Sequence, residues 1–139
     1  TRRSSDLAFP LEAPTSKSTG GFSYSSSNPA VATVFCPALP THPGHALWLR
    51  DCQGTNGLVS LELQPGTAEA AVDRFIDGLR LFGIGASWGG YESLATAAHM
   101  AQARSVTDWS ARGPVVRLHI GLESPRDLIA DLDQGLAAL

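Results

Sequence analysis

The sequence predicts an α/β (α+β-like) domain, a small sheet covered on one face by amphipathic helices. Three observations carry that expectation. Val115 to Leu122 alternates as a strand does, with Val116, Leu118 and Ile120 on one face and Val115, Arg117 and His119 on the other. Two stretches place apolar residues at helical spacing: Val72, Phe75, Ile76 and Leu79, then Leu128, Ile129, Leu132 and Leu136. Strand and helix patterns interleave along 139 residues, a length that suits one domain.

Residues 1–27 stand apart from that pattern. Eleven of the first 29 residues are Ser or Thr, too polar a run to offset the entropy of ordering it. This predicts a poorly ordered arm over 1–27 and a domain over 28–139. Ala30 to Phe35 reads as a strand ending at Cys36-Pro37, and His45 to Arg50 as a short helix. Gln53 to Gly57 is turn chemistry, Leu58 to Leu63 a strand closed by Pro65-Gly66. Thr67 is the expected N-cap of the next helix, with Glu69 in its first turn and Asp73, Arg74 and Asp77 on its polar side. Tyr91 to His99 fits neither period cleanly. Ser124 is the expected cap of the last helix, with Asp127 as its capping-box partner.

Ten Lys and Arg against 13 Asp and Glu give a net charge of −3. That balance offers nothing to neutralise a phosphate backbone, so nucleic acid is not an expected partner. No run of 18 apolar residues predicts a membrane span. The opening Thr-Arg-Arg leads into Ser and Asp rather than an apolar stretch, so no secretory signal is expected. With only Cys36 and Cys52, the reading is free thiols in a reducing, cytoplasmic setting. Nine of the ten basic residues are Arg, and Lys17 is the single lysine.

Arg117 is the first candidate for chemistry. A mid-strand Arg either faces water or grips an anion, because an unpaired buried charge is costly. Its planar fork matches a carboxylate with two parallel hydrogen bonds. The second candidate is Gly83 to Tyr91, where four glycines flank Ser87 and Trp88. It reads either as a ligand-facing loop or as a structural turn in which glycines adopt unusual backbone conformations. It lacks the spacing of a dinucleotide-binding loop, because Trp88 stands where the last glycine is needed. His42 and His45, flanked by the two cysteines, match no zinc spacing, and no metal is expected. His119 shares Arg117's face and reads either as a group supporting it from behind or as a partly exposed strand histidine with no special role.

Three separated motifs occur in one order. They are Cys36-Pro-Ala-Leu-Pro-Thr-His-Pro-Gly-His-Ala-Leu-Trp48, Gly85-Ala-Ser-Trp-Gly-Gly-Tyr-Glu-Ser93, and Val116-Arg-Leu-His-Ile-Gly-Leu-Glu123 with Asp127-Leu-Ile-Ala-Asp-Leu132. Together they resemble the C-terminal domain of the cystathionine β-lyases, within the Cys/Met-metabolism family of fold-type-I pyridoxal-phosphate enzymes. Trp88 with Tyr91, and His119, follow the bacterial β-lyase pattern rather than that of the γ-lyases and γ-synthases.

The resemblance implies that Arg117 holds the substrate's α-carboxylate and that Ser87 and Trp88 line the same pocket. Ala86 departs from the tyrosine that often precedes the Ser-Trp pair. The implied reaction is pyridoxal 5'-phosphate-dependent α,β-elimination of L-cystathionine to homocysteine, pyruvate and ammonia. The family's cofactor-binding lysine belongs to a preceding domain. Lys17, 11 residues before Asn28, is too close to the motifs to match it. These residues alone are therefore expected to be inactive, with no catalytic or cofactor-binding residue of their own, and to self-associate as the family does. A non-catalytic amino-acid-binding or interaction module, or the remnant of a truncated gene, remain the alternatives.

Overall fold

The structure, a computed structural model, describes residues 32–139. The expected arm over 1–27, Lys17 and the start of the first expected strand lie outside the described residues.

Five strands form one sheet in the order β1-β2-β5-β4-β3. They are β1 (Ala32–Phe35), β2 (Leu58–Leu63), β3 (Gly83–Ile84), β4 (Leu94–Ala98) and β5 (Val115–His119). All neighbours pair antiparallel except β3 with β4, which run parallel. The helices are α1 (His45–Asp51), α2 (Glu69–Gly78), α3 (Met100–Ala103) and α4 (Pro125–Leu136).

One face of the sheet meets α2 and α4. Ala32, Val34, Val59, Leu61, Leu63, Ala95, Val116 and Leu118 supply the sheet side of that core. Val72, Phe75, Ile76 and Leu79 from α2, and Leu128, Leu132 and Leu136 from α4, supply the helix side. Both apolar stripes are therefore packed as their spacing predicts, while Asp73, Arg74 and Asp77 are exposed. Asp131 of α4 is buried, and its carboxylate accepts the Arg80 and Leu81 N–H groups at 2.8–3.0 Å. That contact satisfies backbone left open where α2 ends, and it ties the two helices together.

Several expectations need correcting. Ala68, not Thr67, caps α2, and the Thr67 hydroxyl instead donates to the Gln64 carbonyl at 2.8 Å, closing the Pro65-Gly66 turn. Ser124 does cap α4, but no side-chain capping bond forms. Its carbonyl accepts the Asp127 and Leu128 N–H groups, and Pro125 at the first helical position needs no acceptor. Of the four glycines between Gly83 and Gly90, only Gly89 has a left-handed φ, +79°. The regular strand ends at His119, three residues before Leu122. The segment of mixed period, Tyr91 to His99, contains β4.

Candidate functional site

β5 presents Arg117 to the face of the sheet that α2 and α4 do not cover. In register, Arg117 lies between Ser60 of β2 and Thr96 of β4. Its neighbours on that face, Val115 and His119, are buried, whereas Arg117 is half-open. The guanidinium therefore occupies a gap between two covered positions.

Arg117 Nη1 donates to the Ala86 carbonyl at 2.7 Å, and its guanidinium carbon lies 5.5 Å from the Trp88 ring centroid. Both partners are uncharged. The ion pairs among the described residues are Arg50–Asp51 and Arg112–Glu62, so no carboxylate among them neutralises Arg117. A half-buried cation with most of its five donors uncommitted is arranged for an incoming anion. The aromatic ring beside it favours the flat cation and shields one side from water.

The structure thus brings Arg117 and Trp88 together. Ser87, the third expected residue, is exposed on the same loop between Ala86 and Trp88. Trp88 and Tyr91 are 69% and 70% exposed. His119 sits behind the loop, where its Nε2–H donates to the Gly90 carbonyl at 3.1 Å while Nδ1 is buried without a partner. The histidine holds backbone rather than facing the open gap.

The His42 and His45 rings are committed locally. His42 Nδ1 accepts the Gly44 N–H, and His45 Nδ1–H donates to the Pro37 carbonyl, each at 3.0 Å. Cys36 is buried and Cys52 exposed, both as free thiols. Among the described residues no three of His, Cys, Asp and Glu gather as metal ligands, and no helix is long and apolar enough to cross a membrane.

Sequence reasoning missed two features. One is a cleft of about 300 Å³ at the Ala98–Val115 end of the sheet, lined in part by Thr67, Val72, His99, Met100 and Trp109. Arg112 covers part of it, 4.0 Å above the Trp109 ring and paired with Glu62. The other is a set of bonds joining Ser93 to Glu123. These residues lie 30 apart in sequence, and only the pairing of β4 with β5 brings them together.

For pyridoxal phosphate, the described residues do not fit. They include no lysine amine to anchor the aldehyde. Arg117, half-buried and outside both ion pairs, sits beside a loop whose contacts with it are neutral.

Residues 13–137 match the family described as Cys/Met metabolism PLP-dependent enzyme. The cystathionine β-lyase of Bordetella avium is 48% identical over 111 residues, covering 79% of this chain and 28% of that protein. That of Escherichia coli K12 is 44% identical over 115 residues, covering 81% and 29%. A crystal structure of cystathionine γ-synthase from Xanthomonas oryzae, in complex with aminoacrylate and cysteine, superposes with a TM-score of 0.64 at 41% identity. It covers 78% of this chain and 29% of that one. The chain thus spans under a third of the relatives it matches.

Proposed function

The chain belongs to the Cys/Met metabolism family of PLP-dependent enzymes, and from that premise we propose that it supplies the substrate-carboxylate grip of a carbon–sulfur β-lyase. The substrate is a thioether amino acid of the cystathionine type, cleaved to homocysteine, pyruvate and ammonia. The observation that carries this reading is Arg117, a half-buried guanidinium that no described carboxylate neutralises, in the middle of a paired strand. Two parallel N–H donors take the α-carboxylate. Ser87 and Trp88 border it, and the rigid strand fixes the direction in which the rest of the amino acid points. That contribution is orientation, which lowers the barrier by removing freedom before the reaction. Pyridoxal phosphate, held by residues other than those described, supplies the electron sink when bound. The names of the two β-lyase relatives, and Trp88 and His119 in their bacterial pattern, favour the β-lyase over the γ-enzymes.

By themselves the 139 residues do not turn over substrate in this reading. Leu47 and Leu49 of α1, with Ile84, Trp88, Tyr91 and Leu122, leave apolar side chains exposed, and we propose that copies self-associate through them. A single monomeric boundary in sedimentation overturns that part.

The activity test replaces the matching C-terminal segment of the E. coli β-lyase with residues 28–139. The chimera is expected to release pyruvate from cystathionine. Arg117→Ala is expected to lower its kcat/KM about 100-fold, near 3 kcal/mol for two charge-assisted hydrogen bonds. An Arg117→Ala chimera as fast as its parent overturns the reading. Pyruvate released by the 139 residues alone with added cofactor overturns the inactivity.

A further inference from the structure

The loop from Gly85 to Tyr91 carries the Ala86 carbonyl and the Trp88 ring that meet the Arg117 guanidinium, yet its own side chains hold it in place poorly. Its residues are exposed except Gly85, so the loop is held through its backbone, by His119 at the Gly90 carbonyl and by bonds at and beyond its ends. The strand β3 that leads into the loop and the segment that leaves it meet at Ser93, which is fully buried. The Ser93 carbonyl accepts the Gly83 N–H at 2.9 Å, in β3 just before the loop, and the Ala95 carbonyl accepts the Gly85 N–H at 3.1 Å at the loop's first residue. The Ser93 N–H donates to Glu123 Oε1, and its hydroxyl donates to Oε2, each at 2.7 Å. The same hydroxyl oxygen accepts the Gly121 N–H at 2.9 Å. Next to this node, the Leu122 N–H donates to the Tyr91 carbonyl at 2.8 Å. The fit is tight: a Cβ on Gly121 would overlap the Tyr91 carbonyl and come within 2.6 Å of Glu123 Oε2.

We propose that Glu123 is a positioning residue: through Ser93 it clamps the segment leaving the Gly85–Tyr91 loop, and the β3 strand leading into it, to the residues that follow β5, and so sets where the Ala86 carbonyl and Trp88 meet Arg117. The chemistry requires the carboxylate itself. It accepts two donors from one residue, an N–H and an O–H, so both of its oxygens must be acceptors. Burial pushes the Glu123 carboxyl upward, but the Ser93 N–H and hydroxyl, with smaller help from the Glu123 backbone N–H and the nearby His119, together hold it below the usual glutamate range. An amide in its place must turn an NH2 toward the Ser93 hydroxyl. That hydroxyl already accepts from Gly121, and its proton would lose its acceptor. Releasing the clamp frees Ala86, the guanidinium follows its acceptor, and the fork loses its aim. The functional sense of the clamp rests on the carboxylate reading of Arg117, whereas its geometry does not.

The test uses the full 139-residue chain labelled with 15N, and no substrate. Glu123→Gln and Ser93→Ala are compared with Leu132→Ala, a core change on α4. Both clamp variants are expected to move the Trp88 indole N–H and Arg117 Nε–H resonances, and to raise amide exchange across 84–91 about tenfold beyond the change seen in α2 and α4. The double variant is expected to be no worse than Ser93→Ala, since both act through one node. Leu132→Ala is expected to lower Tm while leaving the two resonances in place. If Glu123→Gln does not fold, Ser93→Ala carries the same readout. Unmoved resonances in the clamp variants, or equal movement in Leu132→Ala, overturn the proposal. With no substrate present, these outcomes stand apart from the chimera result for Arg117.

Discussion

On β5, consecutive residues belong to two different regions of the molecule. Val116 and Leu118 point into α2 and α4 and are almost fully buried. Arg117 lies between them in sequence and points the other way, toward Ala86 and Trp88. The covered face is held by apolar contact, which is non-directional and accumulates with area. The open face is held at its loops by directed hydrogen bonds, of which the Ser93–Glu123 pair is the centre. A strand's period of two lets one short segment serve both. Stability and ligand grip can then be changed separately, and each prediction below tests that separation.

Phe75→Ala should have the largest effect. Phe75 is fully buried in α2 against the sheet, and its loss leaves a cavity. The expected cost is about 3–5 kcal/mol, a large share of the stability of so small a domain. Thermal melts measure it. A loss under about 1 kcal/mol would mean that the covered face is not where the stability lies.

Gly121→Ala comes next, and it strikes the open face through backbone rather than through a ligand-facing group. The new methyl cannot fit beside the Tyr91 carbonyl and Glu123, so the segments around Tyr91 and Gly121 must separate. About 1–3 kcal/mol of stability should be lost in urea titration. The Trp88 indole signal should move with it, which the Phe75 change should not cause in the folded fraction.

How legible these two regions were in the sequence follows from the range of the forces. The alternation of Val115 to His119 and the stripe of Val72, Phe75, Ile76 and Leu79 reflect a single face seeking a core, so periodicity reveals them. Arg117 stood out because a charge breaks that pattern, and the structure supplies what sequence physics lacked: its acceptor at Ala86 and the absence of a described carboxylate partner. Thr67 misled, and the side-chain capping box expected of Ser124 and Asp127 did not form although Ser124 is the cap, because a hydroxyl beside a helix start has several local partners, and turn closure or backbone capping took precedence. Ser93 and Glu123 were invisible because their meeting depends on the register that sets Leu94 opposite His119. The two-residue β3 is recognisable only from its partner strand.

A smaller effect is expected from charge. The Arg112 side-chain hydrogen bonds hold Glu62 below the usual glutamate range despite partial burial, and Glu123 is likewise held down on balance. Both carboxyls have folded values below their unfolded ones, so their contribution is present at neutral pH and is lost as the pH falls through the glutamate range. Asp133 works the other way: burial raises it, so its penalty at neutral pH is relieved in acid. The net expectation is a decline in stability between about pH 5 and pH 3, read from urea midpoints. The decline should be shallower in Glu123→Gln. At neutral pH, Arg112→Ala should cost about 1 kcal/mol for its partly buried pair with Glu62, and about as much again for its stack on Trp109. A steady or rising midpoint on acidification would show that Asp133 dominates.

Trp88→Ala should change stability least, and that is the sharpest form of the comparison. Elsewhere in a small domain a large aromatic ring is a major source of buried area, and its loss is severe. Trp88 is mostly exposed, so removing it should shift the unfolding free energy by no more than about 0.5 kcal/mol. The same change strips the aromatic face from beside Arg117 and opens the guanidinium to water on that side. In the chimera, Trp88→Ala should therefore raise KM several-fold while the melting curve stays in place. Phe75→Ala should do the reverse. If Trp88→Ala instead lowers Tm as a core change does, the loop is packing rather than a grip, and the two faces of β5 are one region after all.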